Sequence, residues 1–448
     1  MGASQCQNSR EDPLIAKRRT CSGEERVLVG IVSQWYDPEP VLIPKTLAEA
    51  LVHTGSKVNV LTGYPSYPTG EIYPGFKPLG SSFESREEAD VLRVKSFLSH
   101  DRSAVKRICS FLSFALSSTR RSGFLRSCDV VYVYGTPMTA AVAALLLKVT
   151  RRVPYVIHIQ DLWPESVVDS GMVRPEILRR LLQSAIGSGL KPLYDHASHI
   201  VVISPGMKRA LVDRGVPAHK VSVTYNWHVS DADSIPPAAA GATDEPLHFV
   251  YAGNIGAMQD VETIVRAAAS VQNELKIRVS IYGSGVAQGE VQSLARQLGA
   301  NNVTFMGRID AKAMPEVYQS SDFQLVTLKN RDVFRMTIPS KFQASMAHGV
   351  PVITTVGGDL AKICRQYEVG FVAEPEDPSS LAQAFRAAVA QRPAERHSMS
   401  RRAQQLYRDE LSARSGTDQI IARLSTVADE NKKTRTLSRK FEERANAS

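Results

Sequence analysis

Between Arg335 and Gly358 the chain reads RMTIPSKFQASMAHGVPVITTVGG, and Pro339, Ser340 and Lys341 stand where a short helix should begin. No carboxylate occupies that first turn. Its free N–H groups, the helix dipole and the Lys341 ammonium therefore suit an anion. Three more turns carry glycine: YAGNIGAMQDVETIV (Tyr251–Val265), YGSG (Tyr282–Gly285) and FMGR (Phe305–Arg308). One such turn between a strand and a helix is ordinary loop chemistry. Three on one sheet edge, beside the Ser340 helix start, would surround a pyrophosphate with N–H groups. Nucleotide binding is accordingly expected from Gly253, Asn254, Gly256, Gln259, Gly283, Gly307, Arg308, Ser340 and Lys341.

A second constellation is HIQDLWPES (His158–Ser166), at the carboxyl end of an expected strand. Asp161 and Glu165 can orient or deprotonate a hydroxyl, and Trp163 offers a flat apolar face of the kind that stacks on sugar rings. The same residues also read as a helix entry, with Asp161 as cap and Pro164 in the first turn. Asp231 and Asp233 resemble an acidic metal-holding pair, but they stand in a linker, so no metal is expected. The five cysteines are scattered and form no CxxC pair, so neither a zinc site nor a disulfide framework is read from them.

A chain of 448 residues predicts two or three domains. Its apolar runs, such as AAVAALLLKV (Ala140–Val149), fall short of the roughly 20 residues that span a bilayer. The first residues lack the apolar core of a signal peptide, and a cytoplasmic location is expected. The formal charge of +9 favours anionic partners, but no nucleic-acid-binding motif appears. No G-x-G-x-x-G opens the first strand–helix unit, where VSQWYDPEP stands, which argues against a dinucleotide enzyme.

Strands alternate with helices almost throughout, which predicts an α/β protein with two doubly wound parallel sheets. The expected divisions are a flexible leader (1–25), a first Rossmann-like domain (26–228), a Pro/Ala/Gly-rich linker (229–246), a second such domain (247–398), a last helix (399–428) and a loose charged tail (429–448). Segment 103–126 joins an apolar middle to Lys106, Arg107, Arg120, Arg121 and Arg126. It reads either as a helix resting on acidic lipid or as a core-facing helix with a solvated basic side.

YDPEP, VLTGYPSYPTGEIYPGF, DLWPES, VISPGMKRALVDRGVP, Asn226-Trp227, YAGNIGAMQDVETIV and IPSKFQASMAHGVPVI occur in this order along residues 26–425. The chain thereby resembles the family 4 glycosyltransferases, and within them the bacterial N-acetylfucosamine transferases of surface-polysaccharide assembly. The resemblance implies a GT-B fold of two Rossmann-like domains facing across a cleft, the second holding a UDP-sugar donor and the first an acceptor. It implies retaining transfer without metal or other cofactor, and a polyprenyl-diphosphate-linked sugar acceptor at the inner face of the membrane. The acidic membrane surface would then be met by 103–126. Asp161, with Glu165 behind it, would serve the acceptor hydroxyl. Arg335 and Lys341 would stabilise the leaving diphosphate, and Trp163 and Tyr67 would contact the acceptor. Two departures stand out. Many relatives carry two glutamates where this chain has Met336 and Ala344, and glycines where it has PEPVLIPK (Pro38–Lys45). Arg335, Gln343 and Asp359 are candidates to replace the first loss. The alternative is a catalytically impaired sugar-nucleotide-binding partner in the same pathway.

Overall fold

The computed structural model describes residues 27–98, 104–163, 187–229 and 245–446. The leader, nearly all of the linker, Glu165, Asp231, Asp233 and most of a helix expected over 175–190 lie outside the described residues.

The first sheet is built from β1 (Leu28–Ser33), β2 (Lys57–Gly63), β3 (Ser81–Ser85), β4 (Asp90–Val94), β5 (Val130–Gly135), β6 (Tyr155–Ile159), β7 (His199–Val202) and β8 (Val221–Val223). Their order is β3-β4-β2-β1-β5-β6-β7-β8. β5 and β6 are buried along their whole length. Burial on both faces explains why they read as unbroken Val/Ile/Tyr runs rather than as alternating strands. One face is covered by α1 (Leu42–His53). The other is covered by α2 (Ala104–Arg121) and α3 (Ala141–Arg151), whose Phe114, Ala144 and Leu147 join the core. Sequence reading missed β3, which pairs antiparallel with β4 at the sheet edge. Its sequence, SSFES, has one apolar residue and no buried one, so it carries no periodic signal.

The second sheet has the order β11-β10-β9-β12-β13-β14, all parallel. Its strands are β9 (Leu247–Ala252), β10 (Ile277–Tyr282), β11 (Val303–Gly307), β12 (Phe323–Val326), β13 (Val352–Thr354) and β14 (Gly370–Val372). This is the doubly wound order, and ligands of such sheets lie outside the carboxyl ends where the winding reverses. Here the reversal falls between β9 and β12; in the first sheet it falls between β1 and β5.

Helix α4 (Pro205–Asp213) follows β7. In the second domain, α5 (Val261–Val271) follows β9, α6 (Gln288–Gln297) follows β10, α7 (Ser340–Ala347) precedes β13, and α8 (Asp359–Tyr367) follows it. The chain then runs through α9 (Pro378–Val389) and α10 (Pro393–Leu406) and returns to the first domain. Two expectations need correction here. The last helix is not continuous over 399–428: it gives way to a π-helical turn at Tyr407–Leu411 and an extended Ser412. Nor is the segment after 428 loose, because α11 runs from Ala413 to Asn446. The break lets the chain turn between domains. His228 N–H donates to the Leu411 carbonyl at 3.1 Å, and the Ser412 hydroxyl accepts from Ser415 N–H to restart the helix. Ile420, Leu424 and Val427 of α11 pack with Leu47 and Leu51 of α1. Gly416 is required at this docking, because a β-carbon there would collide with the Trp227 indole.

Candidate active site

The glycine turns lie side by side at the carboxyl edge of the second sheet. Gly253 N–H donates to the Tyr282 carbonyl at 3.0 Å, and Gly283 N–H to the Gly307 carbonyl at 2.7 Å. A recess of about 600 Å³ opens there, lined by Gly253, Asn254, Tyr282, Gly283, Ser284, Gly285 and Arg308 among others. Helix α7 starts beside it at Ser340, which is exposed; no side chain caps the helix and no acidic residue stands in its first turn. The Lys341 side chain reaches across to the glycine edge. It lies against Gly253, whose φ of +150° and missing β-carbon make room for it. Lys341 Nζ donates to Tyr251 Oη at 2.8 Å and sits 4.1 Å above the Tyr251 ring. The Tyr251 hydroxyl in turn donates to the Asn254 carbonyl at 2.6 Å. This chain fixes a cation and the first glycine turn relative to one another. Burial brings the ammonium down to a pKa of about 8, because removing water penalises the charged form.

In the first domain, Asp161 follows β6. Among the described residues its carboxylate has no hydrogen-bond partner, and burial alone raises its pKa above the usual aspartate value. Asp161 is nevertheless exposed to solvent at the carboxyl end of the first sheet, which tempers that rise. Tyr134, at the end of β5, has its phenol pushed up by burial first and then by Asp161 and Tyr67, which places all three within electrostatic reach. Trp163 is anchored by Arg214, which donates to its carbonyl at 2.8 Å. Tyr67 is held by Glu39, an acid that sequence reading did not single out. One oxygen of the Glu39 carboxylate accepts from Ser66 N–H and Tyr67 N–H, both at 2.8 Å, and the other from Tyr36 N–H at 2.9 Å. A buried carboxylate thus organises the glycine-free loop after β1. The signal for it was the second of the two acidic residues inside YDPEP.

The two domains meet through a clasp. Asp359, which opens α8, accepts from Gly206 N–H in the first turn of α4 and from Arg209 at 2.8 Å. Ser204, which caps α4, donates to the Met336 carbonyl at 2.7 Å. Met336 packs on the core of the first domain, so the position of the first family glutamate is an interdomain contact here. Gln343 is buried within α7, and Asp359 is engaged in the clasp.

The predicted donor residues are therefore not all in one place. Gly253, Asn254, Gly283 and Arg308 line the recess, Gly307 supports it, and Lys341 adjoins it. Gly256 faces a separate recess with Asp260 and Lys329. Gln259 accepts from Asn254 Nδ2 at 3.2 Å and so stands behind the turn. Arg335 is exposed beside the Gly357-Gly358 turn, next to Met336.

Two family models match the chain: Glycosyl transferase 4-like domain over residues 45–227 and Glycosyl transferases group 1 over residues 246–391. A putative colanic acid biosynthesis glycosyl transferase of Escherichia coli K12 is 28% identical over 381 residues, covering 79% of this chain and 90% of that protein. A probable glycosyltransferase of Pseudomonas aeruginosa is 25% identical, covering 60% of this chain and 68% of its own. Among solved structures, the Anabaena protein HepE, in complex with UDP, superposes with a TM-score of 0.63 at 14% identity over 90% of this chain and 100% of that one. A glycosyltransferase of Rickettsia africae gives 0.60 at 11%, over 90% and 99%.

Proposed function

We propose that this chain, which belongs to the glycosyl transferases those two models describe, is a retaining enzyme of polysaccharide assembly. It moves a sugar, by its motif resemblance an N-acetylated amino sugar, from UDP to a lipid-linked or polysaccharide-precursor acceptor. The observation that carries this reading is the Lys341 ammonium lodged against Gly253, beside the recess at the carboxyl ends of β9, β10 and β11. A lysine fixed over a glycine edge suits a diphosphate. A relative in fold was solved with UDP, which supports UDP as the donor nucleotide.

In the reaction, the bond between the anomeric carbon and the diphosphate oxygen breaks while the acceptor oxygen bonds to that carbon. The acceptor proton leaves, and UDP departs carrying the extra negative charge. Lys341 and the N–H groups of α7 and the glycine turns stabilise that charge as it grows. Arg335 adds a cation from the exposed rim. Asp161 receives or orients the acceptor hydroxyl; its raised pKa makes it a stronger base than an ordinary aspartate.

The acceptor would be met at a lipid surface. Ile108, Leu112 and Leu116 form an exposed stripe at four-residue spacing on α2, and Val142, Leu146 and Val149 form another on the adjoining α3. Lys106, Arg107, Arg120 and Arg121 flank the first stripe, and all are exposed. No described helix is long and apolar enough to cross a membrane, so the contact proposed is interfacial.

The test is UDP release from UDP-linked amino sugars offered with a polyprenyl-diphosphate-linked sugar. Asp161→Asn should cut turnover about 10²–10⁴-fold while leaving UDP affinity unchanged. An Asp161→Asn enzyme of full activity would contradict the assignment, and UDP binding without turnover on any such donor would favour a binding partner.

A further inference from the structure

Four aromatic rings from four separate segments meet at the carboxyl edge of the first sheet. Trp35 follows β1 at the winding reversal, Tyr67 follows β2, Trp163 follows β6, and Phe111 comes from α2. Their ring centroids are 5.4 Å apart for Trp35–Tyr67, 6.4 Å for Trp35–Phe111 and 5.9 Å for Phe111–Trp163. All four are half-buried, whereas Phe114, one turn along the same helix, is wholly buried in the core. The row is therefore not simply an extension of the core. Trp163 is two residues along the chain from Asp161, and Tyr67 and Asp161 both act electrostatically on Tyr134.

One residue before Asp161, Gln160 Oε1 accepts from Asn226 Nδ2 at 2.6 Å. Each amide keeps one buried atom without a partner, Gln160 Nε2 and Asn226 Oδ1. One is a donor and the other an acceptor, and a buried polar atom left unpaired costs stability.

We propose that the Tyr67–Trp35–Phe111–Trp163 row is a carbohydrate subsite for the acceptor sugar that presents its hydroxyl to Asp161. This rests on the transferase reading and adds Trp35 and Phe111 to it. Sugar rings expose an apolar C–H face and a polar rim. Aromatic faces suit the first, and the exposed Asp161 carboxylate suits the second.

The experiment is saturation-transfer NMR on the whole chain with UDP present, using the methyl glycosides of glucose, galactose, fucose and N-acetylglucosamine as probes. A polyprenyl phosphate without sugar is the control, and calorimetry reports UDP affinity separately. At least one glycoside should bind, with the strongest transfer to ring C–H protons on one face. Phe111→Ala and Trp35→Leu should each weaken it at least tenfold while UDP affinity stays constant, and Trp35→Phe should restore most of the binding. Loss of UDP binding in the parent chain would sink the transferase reading itself. Intact UDP binding with no glycoside response, a response only to the polyprenyl phosphate, or variants that bind glycoside normally would overturn the subsite alone.

Discussion

Lys341 carries its charge at a cost, since burial has already brought its pKa to about 8. A bound diphosphate stabilises the ammonium, so the protonated form is the one that binds. Below pH 8 the charge is present and affinity should be flat. Above it the lysine is neutral in an increasing share of molecules, and UDP affinity should fall roughly tenfold per pH unit. Titration by calorimetry between pH 7 and pH 9 reads this directly, and Lys341→Met should bind weakly and lose the pH dependence. A parent chain whose affinity is unchanged at pH 9 would mean that Lys341 does not touch the anion. Lys341 and Asp161 were legible as types: a cation at a helix start, a carboxylate at a strand end. Tyr251, Glu39, Trp35 and Phe111 were not. Each acts on a residue brought to it by the fold, as Glu39 does in accepting from Tyr67 N–H, 28 positions along the chain.

At the scale of elements, periodicity found the buried strands and most of the helices, because apolar spacing reports which face meets a core. It missed β3, which buries nothing, and the π-helical break at Tyr407–Leu411, which is set by His228 on another domain. Helix α2 is the element whose two faces do different work. Its Phe114 side holds the sheet, while Ile108, Leu112 and Leu116 meet solvent. The chain should bind vesicles containing phosphatidylglycerol and ignore those of phosphatidylcholine alone, and raised salt should weaken the binding through charge screening. Leu112→Ser should reduce vesicle binding in a sedimentation assay with little change in melting temperature, since exposed substitutions usually shift stability by about 0.5 kcal/mol or less. Equal binding to both vesicle types would leave α2 as an ordinary solvated helix.

At the scale of the molecule, the two-domain plan followed from alternation and length. The joint between domains did not, because Met336 meets Ser204 and Asp359 meets Gly206 and Arg209, partners 132 to 153 positions away in the chain. Burial also sets how the whole responds to acid. It lowers His158 to a pKa of about 3, and His199 and His348 to about 4. Each stays neutral in the folded chain while its unfolded counterpart takes a proton below about pH 6.5. The unfolded state then binds more protons, so stability falls as pH drops from 6.5 towards those lowered values. The loss is up to ~1.4 kcal/mol per pH unit for each fully buried histidine. Melting temperature should accordingly fall between pH 7 and pH 5; a flat profile would contradict neutral burial.

On the function proposed above, the second-domain edge built by Gly253, Gly283 and Lys341 holds a uridine diphosphate. The most direct measurement is melting temperature with UDP, GDP, dTDP, ADP or NAD added singly at millimolar concentration. A ligand at about 100 times its dissociation constant adds roughly 2.7 kcal/mol of stability. UDP should stabilise the chain more than the others and should lose that effect in Lys341→Met. Preference for NAD, or no response to any of the five, would contradict the account.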